Sequence, residues 1–262
     1  MNVYDYQKYS MQKSKTRYGI LGLFEKIIRS SPSIYYFFRS IIIYFNIFEE
    51  DFDILINFFQ NKKINIIDVG ASDGIATNFL LKKLIVKKIY CYDPHFYFLK
   101  KLEILKKKYN NIIIKKFGIS NKNQKIKIYF PVFKLFSKYF PILTYTFYNK
   151  KDLTNQILVD FGKKSNLKIH DSYINLIKFK KLKEKIHLIK IDVNGFEYDI
   201  IKSMLPQIKR DKPLIVLENN KEIKKISYLL KKINYKVYYN DNLQFKSYAN
   251  QKVLDIFFIN KN

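Results

Sequence analysis

A single cysteine among 262 residues excludes an intrachain disulfide. Cys91 lies in an apolar run, Ile89 to Tyr92, where a buried inert thiol in a reducing compartment is expected. Tryptophan is absent, and glycine and proline number only seven and six. The chain leans instead on Lys, Ile, Asn, Tyr and Phe, the bias of an AT-rich genome. The first thirty residues are mixed and charged, without the pattern of a secretory signal, so a cytoplasmic protein is expected. No stretch has the length and purity of a membrane span. Ile34 to Phe48 is the most apolar segment, but it is short and carries Arg39. It is expected to pack on the main domain, on a second subunit or on a membrane surface, which would place the protein at the inner face of the membrane.

Acidic residues are also scarce: 22 Asp and Glu stand against 49 Lys and Arg, a net charge of +27. That balance favours anionic substrates or membrane surfaces on encounter, more at low salt than at high. The lysines are scattered, and runs such as Lys106 to Lys108 fall on the outer faces of helical patterns, which argues against nucleic acid as the partner. With 48% hydrophobic residues the chain can bury the core of one large domain.

From Lys63 onward, short β-branched runs alternate with longer helical patterns, the signature of a parallel sheet with crossover helices. The strand candidates are Ile64 to Val69, Lys88 to Asp93, Asn111 to Lys116, His187 to Asp192, Leu214 to Glu218, Lys236 to Tyr239 and Val253 to Ile259. Helices are predicted at Thr77 to Leu84, Phe96 to Tyr109, Phe196 to Leu205 and Glu222 to Ile233, with Pro206 as a stop signal. The polar stretch Asn240 to Gln251 has no helical pattern, so the last two strands should form an antiparallel pair. Residues 130–168 break the rhythm with two prolines and many aromatics, and are expected to form a substrate-covering insert or an oligomer contact.

Four stretches carry chemistry. In Asp68-Val69-Gly70-Ala71-Ser72-Asp73-Gly74 a buried strand runs into two glycines and then a helix, a turn that lets backbone approach a ligand closely. The spacing is not the GxGxxG of dinucleotide enzymes. Asp93 ends the next strand, where a carboxylate can accept hydrogen bonds from both ribose hydroxyls, or can cap the helix that follows Pro94. In Lys190-Ile191-Asp192-Val193-Asn194-Gly195-Phe196-Glu197 another strand ends in a carboxylate, and Glu218 ends the strand after it. Ligands of open α/β sheets sit beyond the carboxyl ends of the strands, so these acids are expected to line one crevice.

Together these blocks resemble the FkbM family of methyltransferases. That family combines a DVGAxxG loop, an acid followed by proline after the second strand, a KIDVEGxE block and a Pro-led strand ending in Glu. Here they are Asp68 to Gly74, Asp93-Pro94, Lys190 to Glu197 and Pro213 to Glu218, in order over about residues 62–260. Asp93 stands where the family more often has Glu, and Asn194 where it has Glu.

The resemblance implies an α/β, Rossmann-like class I methyltransferase fold. It would have a mostly parallel seven-stranded sheet with an antiparallel closing strand, over residues 62–262, preceded by an N-terminal helical extension over 1–61. It implies S-adenosyl-L-methionine along Asp68, Gly70, Ala71, Ser72, Asp73 and Gly74, its ribose on Asp93, its adenine near Gly118, Ile119 and Ser120, and Asp192 beside it. Family members typically methylate hydroxyl oxygens, often on sugars, so a small-molecule or glycan acceptor is implied.

Transfer from a sulfonium needs the acceptor in line and a base for the hydroxyl proton. The candidates, in order, are Asp192, Glu218, and then His95 and Glu197. His95, His170 and His187 lie far apart and no metal site is expected. Two other readings compete: an RNA methyltransferase using the same cofactor, and a Rossmann-like scaffold without catalysis.

Overall fold

The computed structural model describes residues 50–135, 137–142, 145–161, 167–193 and 195–261, with 34, 37 and 41 besides. Apart from those three residues, the expected N-terminal extension as far as residue 49, with the apolar 34–48 segment, lies outside the described residues, as does Asn194. The chain divides into two compact units, one of 48–124 with 175–262 and another containing 125–174.

The first unit is built on an eight-stranded sheet. Its strands are β1 (Ile64–Val69), β2 (Val86–Tyr92), β3 (Ile112–Lys115), β8 (Leu188–Ile191), β9 (Leu214–Glu218), β10 (Tyr235–Asp241), β11 (Gln244–Ser247) and β12 (Asp255–Asn260). They lie in the order β11-β10-β12-β9-β8-β1-β2-β3. β9, β8, β1, β2 and β3 run parallel, while β12 is antiparallel to both of its neighbours. All six residues of β1 are buried, as a strand covered on both faces requires. The sheet has one strand more than the sequence suggests. The polar stretch after β10 turns through Asn242 and Leu243, both at positive φ, and returns as β11, which is mostly exposed and so shows no apolar alternation.

Side-chain alternation sorts the core into two layers. Ile67, Val69, Ile189, Ile191, Ile215 and Leu217 face helices α5 (Glu197–Asp211) and α6 (Ile223–Lys231). Ile64, Ile66, Leu188, Leu214 and Val216 face α1 (Ile54–Phe58), α2 (Ile75–Lys83) and α3 (Phe96–Lys108). Residues 50–59 begin with a 3-10 turn, Glu50–Asp53, and bury Phe52, Ile54 and Leu55 in this second layer.

Pro206 does not stop α5, which continues to Asp211. A proline inside a helix removes one hydrogen bond and costs about 3 kcal/mol. Here the last turn and a half buries Gln207, Ile208 and Asp211, and ties down the preceding loop. Leu182 N–H donates to Gln207 Oε1 and Ile186 N–H to Asp211 Oδ2, each at 2.8 Å.

Strand β4 (Gly118–Ser120) pairs in parallel with Leu176–Lys178, the end of β7 (Lys168–Lys178). The second unit holds the rest of β7 with β5 (Gln124–Leu135), β6 (Lys138–Pro141) and α4 (Lys150–Phe161). Its own core comprises Phe133, Ile142, Tyr145, Leu153 and Ile157. Among its described residues, the segment read from sequence as weakly periodic holds the end of β5, β6, α4 and the start of β7. β5 begins six residues before that segment, and the alternation of Lys125, Lys127 and Tyr129 with Ile126, Ile128 and Phe130 is a strand signal the sequence reading passed over.

Candidate functional site

The carboxyl ends of β1, β2, β8 and β9 gather the expected residues at one edge of the sheet, and β12 enters there because it runs the other way. After β1 the chain turns through Gly70 at φ +75°, Ser72 at +52° and Gly74 at +83°. A Cβ on Gly70 would lie 2.0 Å from the carbonyl oxygen of Asp192, so the loop and the end of β8 touch backbone to backbone. Only glycine fits there. Gly70 and Ala71 N–H donate to the Tyr92 carbonyl at 2.9 and 3.3 Å, and Gly74 N–H to that of Ala71 at 3.0 Å. The loop thus spends several of its donors internally. Asp73 is buried with Lys101 Nζ 3.8 Å away.

Asp93 is buried just past the end of β2. One carboxylate oxygen accepts Ser72 N–H at 2.9 Å and the other accepts His95 N–H at 2.8 Å. Burial pushes its pKa up to about 7, against the downward pull of those two donors. The residue thus joins the glycine loop to the start of α3. Gly118 lies alongside, where a Cβ would approach Pro94 Cγ to 3.5 Å and Leu176 Cδ2 to 2.5 Å, and Ile119 is buried.

Lys190, at the strand-end site, is a residue the sequence reasoning did not single out. It follows two apolar residues within β8, on the layer shared with Asp68, and is only 4% exposed. Its Nζ lies 3.3 Å from Asp68 Oδ1, 3.3 Å from Asp192 Oδ2 and 3.5 Å from the Gly70 carbonyl. Burial opposes its charge, but Asp68 and Asp192 outweigh burial and raise its pKa. Asp68 is wholly buried, and its other oxygen accepts the Thr77 hydroxyl at 2.6 Å. The signal available in sequence was a lysine inside a strand buried on both faces, where charge needs a partner.

Beside this pair is a small pocket of about 60 Å³ lined by Phe52, Lys190, Asp192, Val216, Glu218 and Asp255, among others. Glu218 and Asp255 are register partners across β9 and β12. Asp255, absent from the sequence candidates, was hidden because it belongs to the antiparallel strand. The structure thus unites Asp192 and Glu218 at one opening.

Glu197 belongs to a different cluster, at the start of α5. It is 2% exposed; one oxygen accepts Gly195 N–H at 3.3 Å and the other has no hydrogen-bond donor. Burial pushes its pKa up to about 8, opposed by its own and the Gly195 backbone N–H and reinforced by Glu222. Glu222 in turn accepts Tyr198 N–H at 3.0 Å. Burial thus holds the Glu197 carboxyl protonated at neutral pH, which makes it a poor base.

His95 is buried beneath the first turn of α3, stacked on Phe96 and Tyr97. Burial lowers its pKa to about 4. Cys91 is buried and its thiol pushed up chiefly by that burial. Among the described residues no three His, Cys, Asp or Glu side chains are grouped to hold a metal, and no helix is long and apolar enough to cross a membrane.

A largely parallel sheet with this order, a glycine loop after β1, an acid after β2 and helices on both faces define a class I methyltransferase fold. Residues 68–241 match the methyltransferase FkbM domain, two thirds of the chain, and the protein belongs to that family of methyltransferases. No curated protein matches the sequence. Among solved structures it is similar to the methyltransferase FkbM from Methylobacillus flagellatus KT, at 12% identity and TM-score 0.49, over 75% of this chain and 43% of that one. The present chain thus spans less than half the length of that protein. It is also similar to the ribosomal protein L11 methylase from Lactobacillus delbrueckii subsp. bulgaricus, at 13% identity, TM-score 0.44 and coverage of 79% and 75%. A third is M. capricolum TrmK in complex with S-adenosyl-homocysteine, at 14% identity, TM-score 0.39 and coverage of 82% and 69%.

Proposed function

We propose that the protein transfers a methyl group from S-adenosyl-L-methionine to a hydroxyl oxygen, of a sugar or glycan precursor. The observation that carries the cofactor is the charge of the strand-end crevice. Among the described residues, the pocket at the strand ends is lined by Asp192, Glu218 and Asp255, with Lys190 as the one cationic side chain beside them. In a molecule of net charge +27 such an acidic opening suits a cationic sulfonium. It does not suit a pyrophosphate, and the glycine loop has already used several of the N–H groups that would cradle one.

S-adenosyl-L-methionine, when bound, supplies a methyl group already activated for transfer. Asp93 would hold the ribose hydroxyls, the backbone of Gly70 to Gly74 would pass close to the cofactor, and Gly118 and Ile119 would border the adenine. Asp192 is the first choice for the base. Its carboxylate is half-exposed at the pocket mouth, and Lys190 Nζ, 3.3 Å from Oδ2, orients it. Glu218, on the next strand, is the second choice.

Titration of the protein with S-adenosylhomocysteine tests the cofactor. Micromolar binding that is lost in Asp93→Ala supports the assignment; no binding by folded wild type removes it. With a turnover assay in hand, Asp192→Ala should abolish transfer while leaving the protein folded, and near-normal turnover would move the base to Glu218.

A further inference from the structure

We infer that the outer face of α3 is a docking surface for an anionic lipid bilayer, a reading independent of the methyl acceptor. The helix turns Phe98 and Leu102 onto the sheet and leaves Phe96, Tyr97 and Ile104 at 51, 37 and 68% exposure. With about 3.6 residues per turn, Phe96, Lys100, Ile104 and Lys107 fall in one stripe, with Tyr97 and Lys108 beside it. All of these residues are exposed. Three large apolar side chains therefore stand in water interleaved with lysines.

Nearby cations are accounted for differently. Lys101 is drawn to Asp73 and Lys116 to Glu103, whereas Lys100, Lys106 and Lys107 form no ion pair among the described residues. Apolar tips among uncompensated lysines are the pattern of a helix lying in the headgroup region, where lysine stems extend toward phosphates and aromatic rings sit at the interface.

Two other occupants fit less well. A second copy would set lysine against lysine in a molecule of net charge +27. Single-stranded RNA needs free aromatic faces for its bases. Here one face of Phe96 packs on His95, at 5.4 Å and 14°, its ring also meets Tyr97 at 4.0 Å tilted by 33°, and Ile104 at the centre of the stripe has no ring. Because α3 starts three residues after Asp93, docking would bring this edge of the unit to the bilayer surface.

The test labels position 104. Ile104→Cys can be tagged with an environment-sensitive fluorophore, since Cys91, the natural thiol, is buried and does not compete. Phosphatidylcholine vesicles containing phosphatidylglycerol should blue-shift and brighten the label at low salt, and pure phosphatidylcholine should not. Co-sedimentation of the unlabelled protein should weaken by about five-fold for each of Lys100→Gln and Lys107→Gln. It should hold steady for Lys224→Gln with Lys231→Gln on α6. Binding without a change at the label, equal losses for the α6 pair, or displacement of vesicles by single-stranded RNA would each overturn the inference.

Discussion

Replacing Lys190 with methionine should be among the most damaging single changes available in this protein. The lysine side chain is 5% exposed and that of Asp68 is fully buried, so the variant leaves a carboxylate without its cation inside the sheet. The Thr77 hydroxyl still donates to Asp68, but one hydrogen bond does not replace a charge. Breaking a buried pair in this way costs about 3–5 kcal/mol, a large part of a typical total of about 5–15 kcal/mol. Asp192 contributes little to that loss, because its side chain is 55% exposed and water screens it. The assay is equilibrium urea unfolding of Lys190→Met, Asp68→Asn and the double variant. Removing both charges leaves nothing uncompensated, so the double variant should lose about 1–3 kcal/mol less than the sum of the singles. A Lys190→Met protein within about 1 kcal/mol of wild type, or single losses that add within about 0.5 kcal/mol, would refute the reasoning.

Stability should also fall as pH rises through neutrality. Unfolded Asp93 and Glu197 lose their protons near pH 4, but in the fold they retain them to about 7 and about 8. The native state therefore holds the extra protons in that window, and each group contributes a slope of up to about −1.4 kcal/mol per pH unit. The contribution is flat below the window, where both states are protonated, and again above it. Glu197→Gln should flatten the upper part of the profile, and an unchanged profile would show that the carboxyl is not held protonated. At Gly70, alanine would place a methyl 2.0 Å from the Asp192 carbonyl and strain a φ of +75°. Gly70→Ala should lower the melting temperature and abolish S-adenosylhomocysteine binding, whereas full binding would mean the loop and β8 part easily.

Much of the sheet was legible because its signals are local. A strand covered on both faces must be continuously apolar, and Ile64 to Val69 and Leu214 to Glu218 match the predicted bounds residue for residue. The other strand ends shift by one or two residues, as hydrogen-bonded pairing rather than composition sets where a ladder stops. Pro206 misled because its local cost is overridden by contacts that Gln207 and Asp211 make with residues about 25 positions away.

By itself the sequence determined the order of elements, the glycine turn after β1 and the placement of Asp93, Asp192 and Glu218 at strand ends, since backbone conformation and side-chain period act over a few residues. Tertiary structure alone decided which of those acids meet. It set Lys190 against Asp68, 122 positions away, brought Asp255 beside Glu218 by running β12 backwards, and buried Glu197 against Glu222. Burial and charge pairing belong to the folded neighbourhood of a side chain, and these neighbours come from elements far apart in the chain.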